Sequence, residues 1–138
     1  MVNDELSAAK ASFNRAKTFL NAGDPKMAEK ICRSIVSNIT TNDPNTQVLL
    51  AISQIRQGKI KEGIKRLKYS IRVFPNFVPA HEELGNVLLL EERPGKALPC
   101  FEKARELSPN NAFNLVKLSK IYKTLGRIEE ANECYQKA

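Results

Sequence analysis

The chain has 138 residues, 42% of them hydrophobic and 27% charged, with 22 basic against 15 acidic side chains and a formal net charge of +7. That size fits one domain or one array of small units, and the balanced composition excludes wholesale disorder. No long uncharged apolar run is present to cross a membrane, and the positive charge raises the question of an acidic partner.

The start, Met1-Val2-Asn3-Asp4-Glu5-Leu6, is acidic and lacks the apolar run of a secretory signal. From residue 9 onward a spacing of 34 to 35 residues organises the chain. The whole of 1–138 then reads as a single array: an eight-residue leader and repeats 9–43, 44–77, 78–111 and a partial 112–138. Each repeat reads as two helices. In repeat one the markers are Ala16, Gly23, Ala28 and Cys32, with Asp24-Pro25 as an N-cap followed by a first-turn proline. The connector to repeat two is one residue longer than the others and ends in a second such pair, Asp43-Pro44. Repeat two carries Ala51, Gly58, Gly63, Leu67 and Pro75. Repeat three carries Gly85, Leu88, Ala97, Phe101, Ala104 and Pro109; where its neighbours have a glycine break it has Glu92, with Pro94 near the next helix start. In repeat four, Leu115, Leu118 and Tyr122 form one stripe, Gly126 breaks it, and Ile128, Ala131 and Tyr135 repeat the spacing in a second helix. No alternating strand pattern competes.

The repetition has a packing reason. Counted within each repeat, position eight holds Ala16, Ala51, Gly85 and Ser119, and position twenty holds Ala28, Gly63, Ala97 and Ala131. Small residues at both places let paired helices approach closely, while larger side chains such as Leu84, Leu88 and Phe101 fill the space around them. No single pair buries its own faces, so the stacking of neighbours supplies the core.

These residues resemble the tetratricopeptide repeat family over about 130 residues. Repeat three matches through Leu84-Gly85, Leu88, Ala97, Phe101, Ala104 and Pro109; repeat four through Leu118, Tyr122, Gly126, Ala131, Tyr135 and Ala138. His81 stands where the family has Trp, and Arg15 takes a usual Leu place. Sliding the first helix by one residue puts Phe13, Ala16 and Leu20 on the stripe instead. The resemblance implies an all-α, right-handed α-solenoid of antiparallel helix pairs, about eight helices of roughly 20 Å each. The run from His81 to Ala104 is also similar to tetratricopeptide segments of bacterial sulfotransferase- and glycosyltransferase-type proteins.

Residues able to do chemistry are sparse. Cys100 and Cys134 share one slot and Cys32 lies one position off it, but equivalent slots are a helix pair apart and no CxxC occurs, so packing cysteines are expected, with no metal and no cofactor. His81 has no nucleophile placed beside it and no HExxH, which makes it structural or groove-lining. No catalytic residue is expected, and the chain reads as a cytoplasmic, non-catalytic binding scaffold.

The resemblance implies that the first helices line a concave groove. Its partner-binding residues are then Phe13, Lys17 and Leu20 in repeat one, Val48, Ile52 and Ile55 in repeat two, Glu82, Asn86 and Leu89 in repeat three, and Val116, Lys120 and Lys123 in repeat four. This surface is apolar toward its N-terminal side and basic at its C-terminal end, which suits a protein or peptide segment with apolar anchors and an acidic group, or an adjoining domain of the same polypeptide. The carboxylate clamp of the family's co-chaperones is missing: its places hold Phe13, Lys17, Leu49, Pro79 and Glu83, or, one repeat later, Val48, Ile52, Glu83, Phe113 and Lys117. Most of the excess charge lies on the second helix of repeat two, at Lys59, Lys61, Lys65, Arg66, Lys68 and Arg72. A nucleic-acid adaptor working through that convex face is the weaker alternative, because the base-reading positions of helical-repeat RNA readers are mainly apolar in repeats one and two. Membrane binding is not expected. The stop at Ala138 leaves Ile121, Ile128 and Tyr135 without a capping helix, which fits either a module of a larger enzyme that orients a substrate or a homodimer through the last helix pair.

Overall fold

The structure, a computed structural model, describes residues 2–38 and 43–138, with side chains from residue 6. Most of the longer first connector lies outside these residues. Among them are eight α-helices and no strand: α1 (Val2–Asn21), α2 (Pro25–Asn38), α3 (Pro44–Arg56), α4 (Ile60–Val73), α5 (Val78–Leu90), α6 (Pro94–Leu107), α7 (Ala112–Thr124) and α8 (Ile128–Lys137). α1 has 20 residues because the leader continues it, whereas α2 to α7 have 13 or 14, about 20 Å each. Two compact units result, an N-terminal one over Met1–Phe74 and a C-terminal one over Pro75–Ala138. Within the first, α1 packs on α2, α2 on α3 and α3 on α4; within the second, α5 packs on α6, α6 on α7 and α7 on α8.

Four turns of one design join the paired helices. The second residue after each first helix has a left-handed backbone: Gly23 at φ 85°, Gly58 at 84°, Gly126 at 80° and, in repeat three, Glu92 at 56°. The amide of the following residue reaches back to a carbonyl five residues earlier, from Asp24 to Phe19 at 2.8 Å, Lys59 to Gln54 at 2.9 Å, Arg93 to Leu88 at 2.9 Å and Arg127 to Tyr122 at 2.8 Å. This is the Schellman arrangement, which satisfies last-turn carbonyls and reverses the chain. Helix starts follow the expected pairs. The Asp24 Oδ1 accepts from the Met27 amide at 3.1 Å, and the Asp43 Oδ1 from the Asn45 amide at 3.1 Å, with Pro25 and Pro44 in the first turns. Asn111 caps α7 in the same manner.

The small positions sit at the helix crossings. Ala16, Ala51, Ala28 and Ala97 are fully buried, and Ala131 nearly so. α1 turns Ala16 and Leu20 into the core and half-buries Phe13, while Arg15 is exposed, so the stripe is Phe13–Ala16–Leu20. All three pack in one cluster with Ala28, Cys32, Leu49 and Leu50. In the C-terminal unit Leu84, Leu88, Phe101, Leu115, Leu118 and Tyr122 are buried.

Helix α8 departs from the expected stripe. Ala131 is buried, but Ile128 and Tyr135 are 51% and 71% exposed, and Cys134 is the second buried side chain of that helix. Ile121, expected to be partly uncovered, is buried. The difference at Tyr135 goes with a different residue opposite it. In repeat three the equivalent Phe101 ring lies over Gly85, where a Cβ would strike it. Repeat four has Ser119 at that place; its hydroxyl donates to the Ala131 carbonyl at 2.8 Å, and the ring at 135 stands outside.

Candidate partner-binding site

The residues expected to line a groove fall into two sets, one in each compact unit. In the N-terminal unit, α1 touches α3, and the set divides by burial. Leu20 and Val48 are 5% exposed and belong to the packed interior beneath the surface. Phe13 and Ile52 are half-buried against the core cluster, and Lys17 is exposed with its ammonium 5.9 Å from the Phe13 ring centre. Ile55 is half-buried and lies against Gly63, where a Cβ would crowd its side chain and the Ala51 carbonyl oxygen. The accessible part of this set is therefore Lys17 with the outer edges of Phe13, Ile52 and Ile55.

In the C-terminal unit, Glu82, Asn86 and Leu89 on α5 and Val116 on α7 are half-buried, and Lys120 and Lys123 on α7 are exposed. The Asn86 Oδ1 is buried with no hydrogen-bond partner among the described residues. Burial pushes the Glu82 carboxyl above its ordinary range, against the lowering effect of the neighbouring Asn114 amide. That amide is fully buried and lies beside Glu82 without closing a hydrogen bond of standard geometry. The unit thus carries a half-buried carboxyl and a buried orphan acceptor on α5, and two exposed cations on α7.

The residues weighed for chemistry serve packing. His81 is buried, with Nε2 2.7 Å from the Pro75 carbonyl oxygen, the geometry of a ring N–H donating to the backbone just before α5. Cys32 and Cys134 are buried, Cys100 is partly exposed, and none of the three is disulfide-bonded. Burial pushes the Cys32 thiol up to about 12. No cluster of three or more metal-ligating side chains occurs among the described residues, and none of their helices is long and apolar enough to cross a membrane.

One feature is not evident from composition or hydrophobic pattern. Glu29, buried on α2, accepts from Gln57 Nε2 at 2.7 Å and Lys59 Nζ at 2.9 Å through Oε1, and from Arg33 at 2.7 and 2.9 Å through Oε2. It joins α2 to the α3–α4 turn. Its signal in the sequence was a lone carboxylate at i−4 from Arg33, too common a spacing to single out.

Comparison with known proteins fits this geometry. Profiles described as tetratricopeptide repeat match residues 78–111 and 114–138. Residues 78–138 contain tetratricopeptide repeats. Superkiller complex protein 3 of Mus musculus is 30% identical over 82 residues, 59% of this chain and 5% of that protein. The probable UDP-N-acetylglucosamine–peptide N-acetylglucosaminyltransferase SPINDLY of Hordeum vulgare is 43% identical over 54 residues, 39% of this chain and 6% of that protein. The repeats therefore span only about a twentieth of the length of these relatives. Among solved structures, a crystal structure of MamA superposes with a TM-score of 0.80 at 20% identity, covering 94% of this chain and 75% of that one. A MamA structure from Desulfovibrio magneticus RS-1 gives 0.78 at 24%, covering 94% and 72%. These likenesses show the fold, an all-α solenoid of antiparallel helix pairs. Tetratricopeptide repeats of this kind are protein-interaction scaffolds.

Proposed function

We propose that the first-helix faces bind an extended or helical protein segment carrying apolar anchors and an acidic group, and that the chain is itself non-catalytic. The observation that carries this reading is Asn86, whose buried Oδ1 lacks a donor. A buried acceptor without a partner costs about 1–3 kcal/mol, and rotation of the half-buried Asn86 side chain toward the surface would let a backbone N–H of a bound segment satisfy it. Lys120 and Lys123 would meet the acidic group, Leu89 and Val116 the apolar anchors, and Ile52, Ile55 and Phe13 beside Lys17 would offer a second apolar strip. Leu20 and Val48 support that strip from beneath. Three cysteines outside any disulfide fit a reducing, cytoplasmic setting.

The test uses the full chain and a phage-displayed library of acidic-tailed peptides. The selected peptide is expected to bind about tenfold more weakly to Asn86→Ala and Lys120→Glu, with helicity and melting temperature close to those of the parent. Equal affinity for parent and variants would overturn the proposal.

A second reading rests on the SPINDLY relatives, each named for a glycosyltransferase of peptides. In it the repeats are an accessory part of a larger enzyme, of glycosyltransferase or sulfotransferase type, and hold the protein substrate while chemistry proceeds elsewhere. Sequencing the parent gene past residue 138 decides between them. An adjoining domain seated on the first-helix face, or a second copy covering the exposed Ile128 and Tyr135, would replace the free peptide as the partner.

A further inference from the structure

The charge of this chain is not spread over it. The N-terminal unit has 13 basic and 6 acidic side chains, so it carries the whole net +7; the C-terminal unit has 9 of each and is neutral. The division is sharpest at four equivalent places on the second helix of each repeat, at positions 18, 22, 25 and 29. Repeat one has Lys26, Lys30, Arg33 and Ser37 there, and repeat two has Lys61, Lys65, Lys68 and Arg72. The same places in repeats three and four include Glu102, Glu106, Glu129 and Glu133 and no basic residue. All seven basic side chains are exposed. Lys26, Lys30, Lys61, Lys65 and Lys68 form no ion pair among the described residues. The spacing i, i+4, i+7, i+11 puts Lys61, Lys65, Lys68 and Arg72 in one line along α4, about 16 Å long.

We infer that this second-helix face of the N-terminal unit, on α2 and α4, is a second docking surface, and that its occupant is an acidic amphipathic helix of a protein partner. Charge complementarity is the first argument. A helix bearing carboxylates at i, i+4, i+7 and i+11 has the rise of α4 itself, so laid alongside it places one carboxylate at the height of each cation. Unpaired like charges in one row repel one another, and such a partner removes that repulsion.

The second argument separates a protein from a polyanion. Val36 on α2 and Tyr69 and Val73 on α4 are exposed large apolar side chains beside the basic lines, at 41%, 38% and 41%. Apolar residues of an amphipathic helix gain from covering them; a phosphodiester backbone has nothing apolar to offer. Single-stranded nucleic acid binds on open aromatic faces. The one aromatic ring on this surface, Tyr69, has the Arg72 guanidinium over it at 5.6 Å.

The experiment uses the full chain and four probes. One is a synthetic helical peptide with Glu at i, i+4, i+7 and i+11 and Leu on the adjoining face. The others are the same peptide with Gln for Glu, a single-stranded RNA of similar length, and vesicles of phosphatidylcholine with phosphatidylserine. The Glu peptide is expected to bind, and its affinity to fall about tenfold in Lys65→Glu with Lys68→Glu and severalfold in the milder Lys61→Gln with Lys65→Gln. It is expected to stay unchanged in Lys96→Gln, an exposed cation of the C-terminal unit outside both proposed surfaces. Loss in Ile52→Glu and Lys120→Glu, which report on the first-helix face, with retention in the lysine variants of α4 would place the acidic partner on that other face and overturn the inference. Equal binding of the Gln peptide, or tighter binding of the RNA or the vesicles than of the Glu peptide, would also overturn it. Circular dichroism of each variant secures that the fold is intact.

Discussion

Gly85 on α5 lies directly beneath the ring of Phe101 on α6, so that a methyl group at its Cα would meet ring carbon Cδ2 at 2.8 Å and Cζ at 2.9 Å. The ring is fully buried and is one of the largest side chains in the C-terminal unit, so it has nowhere to yield. Gly85→Ala is expected to destabilise the chain by about 1–3 kcal/mol, although alanine is the better helix former. Gly95, on α6 with nothing within 4 Å of a Cβ, is the control. Gly95→Ala is expected to stabilise by roughly 0.5–1 kcal/mol. Urea denaturation of both variants checks the contrast in sign.

Glu92 occupies the left-handed turn position that Gly23, Gly58 and Gly126 fill in the other repeats. A Cβ in that region crowds the following carbonyl at a cost of about 1 kcal/mol. Glu92→Gly relieves the crowding but loosens the unfolded chain, so a net gain of a few tenths to about 1 kcal/mol is expected. Gly58→Ala, where φ is 84° and the space around the Cβ is open, is expected to lose about 1 kcal/mol from backbone strain alone. Thermal melts of the two variants moving in opposite directions would bear this out.

The sequence made the helices legible because several independent signals coincided. Position eight and position twenty stay small in every repeat, the turn glycines recur, and Asp24-Pro25 and Asp43-Pro44 mark starts; α3, α5 and α7 begin at residues 44, 78 and 112. What the periodicity did not carry was side-chain burial at crossings where two choices interact. Tyr135 and Phe101 share a slot, but Ser119 replaces Gly85 opposite it and the ring at 135 lies outside, which periodicity alone does not predict. Phe13, Leu20 and Val48 were assigned to a groove by position counting, whereas packing in the N-terminal unit turns Leu20 and Val48 inward. The Glu29 junction was illegible for another reason: its partners Gln57 and Lys59 are 28 and 30 residues away in sequence.

The three cysteines are expected to separate by access. Cys32 is fully buried with its thiol pushed up to about 12, Cys134 is buried beside the Arg105 guanidinium, and Cys100 is partly exposed. The thiolate is the species that alkylates, and burial withholds both it and the reagent. Native protein treated with iodoacetamide near pH 8 should label at Cys100 first, with Cys32 and Cys134 reacting only when the helices open. Peptide mass mapping after a time course reads the order. Fast labelling of Cys32 would contradict the packing of α2 on α3.

Glu29 makes the stability of the N-terminal unit depend on pH. Burial alone would raise its pKa, but the hydrogen bonds from Lys59, Gln57 and Arg33 outweigh burial and hold the carboxyl at about 2, against an ordinary value of 4.5. A group with a depressed folded-state pKa binds its proton more readily when unfolded. Its contribution is therefore complete above about 4.5 and is lost as the pH falls toward 2. Arg33 and Lys59 are themselves half-exposed, which screens the ion pairs and limits what they add. Glu29→Gln is expected to cost about 1–2 kcal/mol near neutral pH through the lost charge-assisted hydrogen bonds. The variant should also show a smaller fall in denaturation midpoint than the parent between about pH 5 and about pH 2.5, because it has no carboxylate here to protonate. Parallel pH dependence of the two proteins across that window would mean that the Glu29 junction does not couple α2 to the α3–α4 turn.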